Sequence, residues 1–192
     1  MGVPTISTDP MTIEEFYAFA DTRPDEEKWE LIDGEPVLNA APSRPHQRIV
    51  KNLVFALTLR EREPGVSWEV LPGLGVRVSE INRPEPDLVI LPHSNADPAR
   101  RDADDIIVAF EVLSPSTADR DMRWKRKAYT TLASLTDYVV VAQDTAELVV
   151  FERKTGFSER RLRGLSAVLE LPSVGISLAL KEIYRDIDLA DR

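Results

Sequence analysis

Apolar residues follow two rhythms along this chain. Between Ile106 and Pro115 the run I-I-V-A-F-E-V-L-S-P is apolar at nearly every position, with one carboxylate, Glu111, inside it. Such a run predicts a strand covered on both faces, although pattern alone leaves a buried helical segment open. Pro115 and the polar residues after it end the run. Pro84–Leu91 (P-E-P-D-L-V-I-L) and Asp137–Ala142 (D-Y-V-V-V-A) read the same way. Glu147–Arg153 and Phe157–Leu162, turned at Gly156, predict two further strands. Val66–Leu71 and Gly75–Val78 predict short strands about Pro72-Gly73, Pro92–Asp105 a polar loop, and Gly175–Leu180 alternates near the end.

The second rhythm is helical. In Met11–Thr22, Ile13, Phe16, Tyr17 and Ala20 share a stripe, and Thr12 and Glu15 have capping-box spacing. Ser43 is placed to cap a helix from Arg44 to about Arg62, with Ile49, Val50, Leu53, Ala56, Leu57 and Arg60 in helical register. His46 lies on the same face. A third helix is predicted over Asp119–Leu135. At about 100° per residue, Trp124, Ala128, Leu132 and Leu135 face inward, and Asp121 and Lys125 fall in or beside that arc. Arg123, Arg126, Lys127 and Thr130 point away. Between the first two helices, Trp29–Ile32 and Glu35–Leu38 read as a hairpin about Asp33-Gly34, with Trp29 opposite Leu38 and Glu30 opposite Val37. The element order predicts an α/β domain with a mixed sheet. Residues 1–10 read as an arm, 11–185 as one domain and 186–192 as a charged tail.

Composition narrows the chemistry. The chain has 192 residues and no cysteine, which excludes disulfides and thiolate metal sites. Its net charge of -9 argues against coating nucleic acid through bulk charge, and suits a site that gathers divalent cations. No stretch approaches the roughly 18 apolar residues of a membrane span, and no leader is evident, so a cytoplasmic location is expected. Gly-rich phosphate loops, G-x-S-x-G and H-E-x-x-H are absent. With only His46 and His93 in the chain, a serine triad at Ser114 or Ser116 is not supported.

An ionised carboxylate inside an apolar strand needs a compensating partner. If the strands holding Asp87 and Glu111 pair antiparallel about a loop centred near Ala99, the two acids become cross-strand partners at the end away from that loop. Their Cβ atoms would then lie roughly 5 Å apart. Two carboxylates so close repel unless a cation sits between them, and a hard divalent ion is the simplest resolution. Lys125 is the cation expected to reach the sheet, where it could orient water or hold developing charge on a phosphate. A plainer alternative stands for each residue. Asp87 and Glu111 could form a register-fixing ion pair with Lys125 or Arg123, and Lys125 could pair with Asp121 one turn earlier. His46 could be a packed helix-start histidine, and Glu30 an exposed hairpin residue.

The ordered set Pro86-Asp87, Glu111-Val112-Leu113-Ser114-Pro115-Ser116-Thr117, Asp121-x3-Lys125-x3-Tyr129 and Asp137–Val141 resembles the bacterial putative restriction endonuclease family of the PD-(D/E)XK nuclease superfamily. Glu30–Glu35 (E-L-I-D-G-E) and Pro45-His46 fit it too, and the resemblance runs from about Met11 to Tyr184. It implies a restriction endonuclease-like core, a mixed β-sheet flanked by helices, with the N-terminal helix and hairpin appended. It implies Mg²⁺-dependent (or Mn²⁺-supported) hydrolysis of phosphodiester bonds in DNA. Asp87, Glu111 and the Val112 carbonyl would bind the metal, and Lys125 would position water. Glu30, His46 and Asp121 are second-tier residues, and a homodimer is the assembly expected from the superfamily. One position departs: the superfamily lysine two residues after the glutamate is Leu113 here, and Lys125 on the next helix takes its place. The competing expectation is a non-catalytic binding or assembly module on a nuclease fold.

Overall fold

A computed structural model describes residues 9–93, 99–114 and 120–189. Helix α1 (Ile13–Ala20) begins at a reciprocal cap. The Thr12 hydroxyl accepts from the Glu15 N–H at 3.3 Å, and Glu15 accepts the Thr12 N–H at 2.8 Å. Strands β1 (Trp29–Ile32) and β2 (Glu35–Leu38) form the hairpin in the expected register, Trp29 opposite Leu38. Its turn has positive φ at both Asp33 and Gly34, the conformation that matches the twist of a two-residue hairpin. Helix α2 (Arg44–Glu61) starts where the Ser43 hydroxyl accepts the His46 N–H at 3.2 Å.

The chain continues through β3 (Trp68–Pro72), β4 (Gly75–Val76), β5 (Leu88–Pro92), β6 (Asp102–Ala103) and β7 (Val108–Val112). A π-helical turn (Arg120–Lys125) runs into the short helix α3 (Arg126–Tyr129). Then come β8 (Asp137–Val141), β9 (Glu147–Glu152), β10 (Ser158–Arg163), β11 (Val168–Leu171), β12 (Ile176–Ala179) and helix α4 (Leu180–Ile183). Six strands make one mixed sheet in the order β10-β9-β8-β7-β5-β3. Neighbours are antiparallel except β7 and β8, which run parallel.

The two faces of this sheet are sorted by parity. Leu88, Ile90, Val108, Phe110, Val112, Val139 and Val141 pack with Ile49, Leu53 and Leu57 of α2 and with the β11–β12 hairpin. Val89, Ala109, Tyr138, Val140 and Phe151 pack with Tyr129, Leu132 and Leu135 on the other face. Both faces are covered, which is why the strands read as continuous apolar runs. Ile13, Phe16 and Leu31 join α1 to the β1–β2 hairpin.

The predicted Asp119–Leu135 helix is the main departure. Its described part is π-wound, then briefly α, then turns. A wheel at α-helical pitch therefore misplaces Trp124, which is half-buried and donates its indole N–H to Asp33 at 2.9 Å. Leu132 and Leu135 are buried as expected, and in the wound segment before them the buried positions are Asp121, Lys125 and Tyr129, four residues apart. An α-turn over-rotates a four-residue step by about 40°. The wider π-turn under-rotates it, so the two errors offset and the three side chains share a face. Two short strands went unpredicted. β6 lies inside the polar loop and pairs parallel with β4, and β11 pairs with β12. The proposed arm at residues 1–10 lies almost wholly outside the described residues.

Gly34 is fixed by sterics as well as φ. A Cβ there would stand 2.3 Å from Pro10 Cβ and 2.6 Å from its Cα. Gly34→Ala should therefore destabilise the fold by about 1–3 kcal/mol, read as a lowered urea midpoint at unchanged m-value.

Candidate active site

The observed β5–β7 pairing sets Leu88 opposite Phe110 and Val89 opposite Ala109. Continued by one residue, that register sets Asp87 opposite Glu111, on the face also occupied by Ala109 and Val89. Asp87 precedes the first residue of β5, at the rim. Its Oδ2 accepts the Val112 N–H at 2.8 Å and lies 3.1 Å from His46 Nε2. His46 reaches it from the first turn of α2, so the Ser43 cap that starts the helix also aims the imidazole.

Lys125 is the centre of the cluster. Its Nζ is 2.7 Å from Glu111 Oε1, 2.8 Å from Glu30 Oε1 and 3.7 Å from Asp121 Oδ1. All four residues are at most 4% exposed. Glu30 is thus no surface hairpin residue. It is wholly buried, accepts the Glu85 N–H at 2.7 Å, and has Arg120 3.6 Å from its Oε2. Arg120 in turn donates to Asn39 at 2.7 Å. Tyr129, quoted in the sequence motif without a role, donates its hydroxyl to Glu111 Oε1 at 3.2 Å. Its place four residues after Lys125 was the available signal. Tyr138 ties down the π-turn by donating to the Asp121 carbonyl at 2.8 Å. Gln143 bridges two segments that no spacing connects, accepting from Ser43 at 2.6 Å and donating to the Leu113 carbonyl.

The electrostatics are those of a buried acid surplus: Glu30, Asp87, Glu111 and Asp121 face the permanent cations Lys125 and Arg120. Burial pushes the Glu111 carboxyl well above the ordinary range; Lys125 opposes this, while Asp121, Asp87 and Glu30 reinforce it. Burial would also raise Glu30, but Lys125, the Glu85 N–H and Arg120 outweigh it and hold Glu30 below the ordinary value. Burial alone would lower Lys125; Glu111, Glu30 and Asp121 override it and keep the ammonium charged. Burial also keeps the Tyr129 hydroxyl protonated, as a donor requires.

Asp87, Glu111, Arg120, Asp121 and Lys125 line a cleft of about 600 Å³, with Lys28, Pro86, His46 and Gln143 in its walls. Among the described residues, hydrogen bonds to the paired acids converge on Asp87 Oδ2 and Glu111 Oε1. Glu30 Oε2 is buried without a hydrogen bond to any of the described residues. Among the described residues, no three His, Asp or Glu side chains gather closely enough to cage a cation by themselves. Asp87 and Glu111 would offer two carboxylates, a set that Mg²⁺ typically completes with water and substrate phosphate.

The fold is similar to that of a crystal structure from Anabaena variabilis ATCC 29413, described as a putative nuclease belonging to DUF820. The TM-score is 0.74 at 15% identity, covering 91% of this chain and 98% of that one. At that identity the likeness speaks for the fold alone. No curated protein matches the chain. Among the described residues, no helix is long and apolar enough to cross a membrane. The family model described as "Uma2: Putative restriction endonuclease" matches residues 13–181, and the chain belongs to that family.

Proposed function

We propose that the protein is a Mg²⁺-dependent endonuclease that hydrolyses phosphodiester bonds in DNA. The observation that carries this reading is the contact of the Lys125 amine with Glu111, the residue opposite Asp87 at the rim of the sheet. Asp87, Glu111 and the Val112 carbonyl would hold the cation, with Mn²⁺ as a substitute. The chemistry supplied by the bound ion is polarisation of the scissile phosphate and acidification of water. The protein's own groups do the rest. Lys125 orients the attacking water and faces the charge that develops on the phosphate. Glu30 and Asp121 keep the amine protonated and aimed. His46 and the Val112 N–H fix the Asp87 carboxylate, and Tyr129 fixes that of Glu111. The acid surplus supports the reading, because a divalent ion would offset both the burial and the neighbouring acids that raise the Glu111 carboxyl.

A second reading, a nuclease fold serving as a binding or assembly module, draws on one observation. Lys125 is engaged by carboxylates on two sides, as a structural ion-pair centre would be. The two readings diverge in three measurements. Titration with Mn²⁺ or Mg²⁺ should raise the melting temperature of the wild type, and the rise should vanish in Asp87→Ala and Glu111→Ala. A wild type that ignores both ions would favour the module. In a plasmid-nicking assay run below the variant's lowered melting temperature, Lys125→Ala should reduce the rate by about 100-fold or more. Finally, Glu111→Gln should melt at or above the wild-type temperature in chelator at neutral pH, since it removes a carboxylate whose ionised form is disfavoured by burial. A large drop would mark Glu111 as a structural ion-pair partner instead.

A further inference from the structure

The catalytic cleft does not end at the cluster. It shares a wall, formed by Lys28, Pro72, Gly73 and Glu85, with a second groove of about 670 Å³. The sill between them is bare backbone. Gly73 has a φ of +63°, and a Cβ there would lie 3.4 Å from Glu85 Oε1 and 3.7 Å from Lys28 Nζ. Lys28 stands over this sill with its side chain 60% exposed.

Beyond the sill the groove is built of planar groups. The Arg23 guanidinium lies 4.3 Å from the centre of the Phe19 ring and 5.9 Å from that of Trp29, and Arg101 lies 4.6 Å from that of Tyr17. Three of its acids are engaged. Glu27 accepts the Trp29 indole N–H at 2.8 Å, Asp21 pairs with Arg101 at 2.7 Å, and Glu85 lies 3.6 Å from Arg83. Among the ion pairs of the described residues, none involves Arg23, and that of Lys28 is a loose 3.8 Å.

Resting on the nuclease reading above, we propose that the substrate is a single-stranded DNA segment lying extended along the joined cleft and groove. One phosphate sits on Lys28 at the sill, and an unpaired base lies against the planar groups of Arg23 and Trp29. Three features favour a single strand over a duplex. Glu111 and Lys125 are recessed, so the scissile phosphate must enter the cleft rather than be met at the surface. Stacked guanidinium and aromatic planes serve bases whose faces are free, and a duplex hides those faces. The chain carries a net charge of -9, so a few local cations and stacking, not a broad basic face, must hold the ligand.

The test is fluorescence anisotropy in chelator with a labelled short oligodeoxythymidine and with a blunt duplex, across a salt series. The single strand should bind roughly 10-fold tighter or more. Arg23→Ala and Lys28→Ala should each weaken it several-fold, and Lys28→Ala should flatten the slope of log K on log salt by about 0.7. Arg163→Ala, on the opposite edge strand of the sheet, should change neither. Equal or tighter duplex binding, no binding of either probe, or unchanged affinity and slope in the Arg23/Lys28 double variant would each overturn the proposal. Melting temperature and its response to Mn²⁺ serve as separate readouts. Both should be unchanged in these variants, so a failed trough and a failed metal site give different results.

Discussion

One ammonium group holds this molecule's working end together. Lys125 contacts Glu111 on β7, Glu30 on β1 and Asp121 in its own turn, all out of water. A buried charge is costly alone, and removing the shared cation from such a set of acids typically costs several kcal/mol. The central strand, the N-terminal hairpin and the π-wound segment are therefore coupled through it. The hairpin, an appendage by topology, is part of the site by electrostatics: its Glu30 supplies a carboxylate to Lys125 and accepts the Glu85 N–H two residues before Asp87.

The surplus of acid over base at this point is a storage of repulsion rather than of stability. At Glu111 it adds to burial: Asp121, Asp87 and Glu30 raise a carboxyl that burial has already raised. On the proposed reading a bound cation would relieve that repulsion, and its binding energy would be directed at this cluster. The same reasoning explains why Asp87 is held from two sides, by a backbone N–H and by His46. Its orientation is set by the protein itself, so an ion held as proposed would need little further ordering.

Much of this was readable in the chain, and for identifiable reasons. Asp87 and Glu111 could be paired because an antiparallel register obeys a constant sum, and the apolar runs on either side left only one plausible centre. Ser43, Thr12 and Asp33-Gly34 announced their caps and turn through local chemistry that acts over a few residues. Glu30 could be named but not placed, because hairpin alternation says which side it faces and nothing about what covers that side. The π-turn was invisible for a related reason. Its winding is held by the Tyr138 hydroxyl on the Asp121 carbonyl, a contact between segments 17 residues apart. Gln143 escaped notice altogether, since its partners Ser43 and Leu113 lie 100 and 30 residues away.

The parallel step from β7 to β8 has a consequence for where the amine can be. Antiparallel neighbours can be joined at one end by a tight turn, but parallel neighbours oblige the chain to travel back along the sheet before it re-enters. That return path leaves from the end of β7 where Glu111 sits, and Lys125 lies on its first described turns. The lysine is therefore delivered over the acid by the direction of a strand. A chain of this connectivity could move the residue along the crossover without losing access to the same carboxylate, which makes sense of a basic group displaced from the strand that carries its partner.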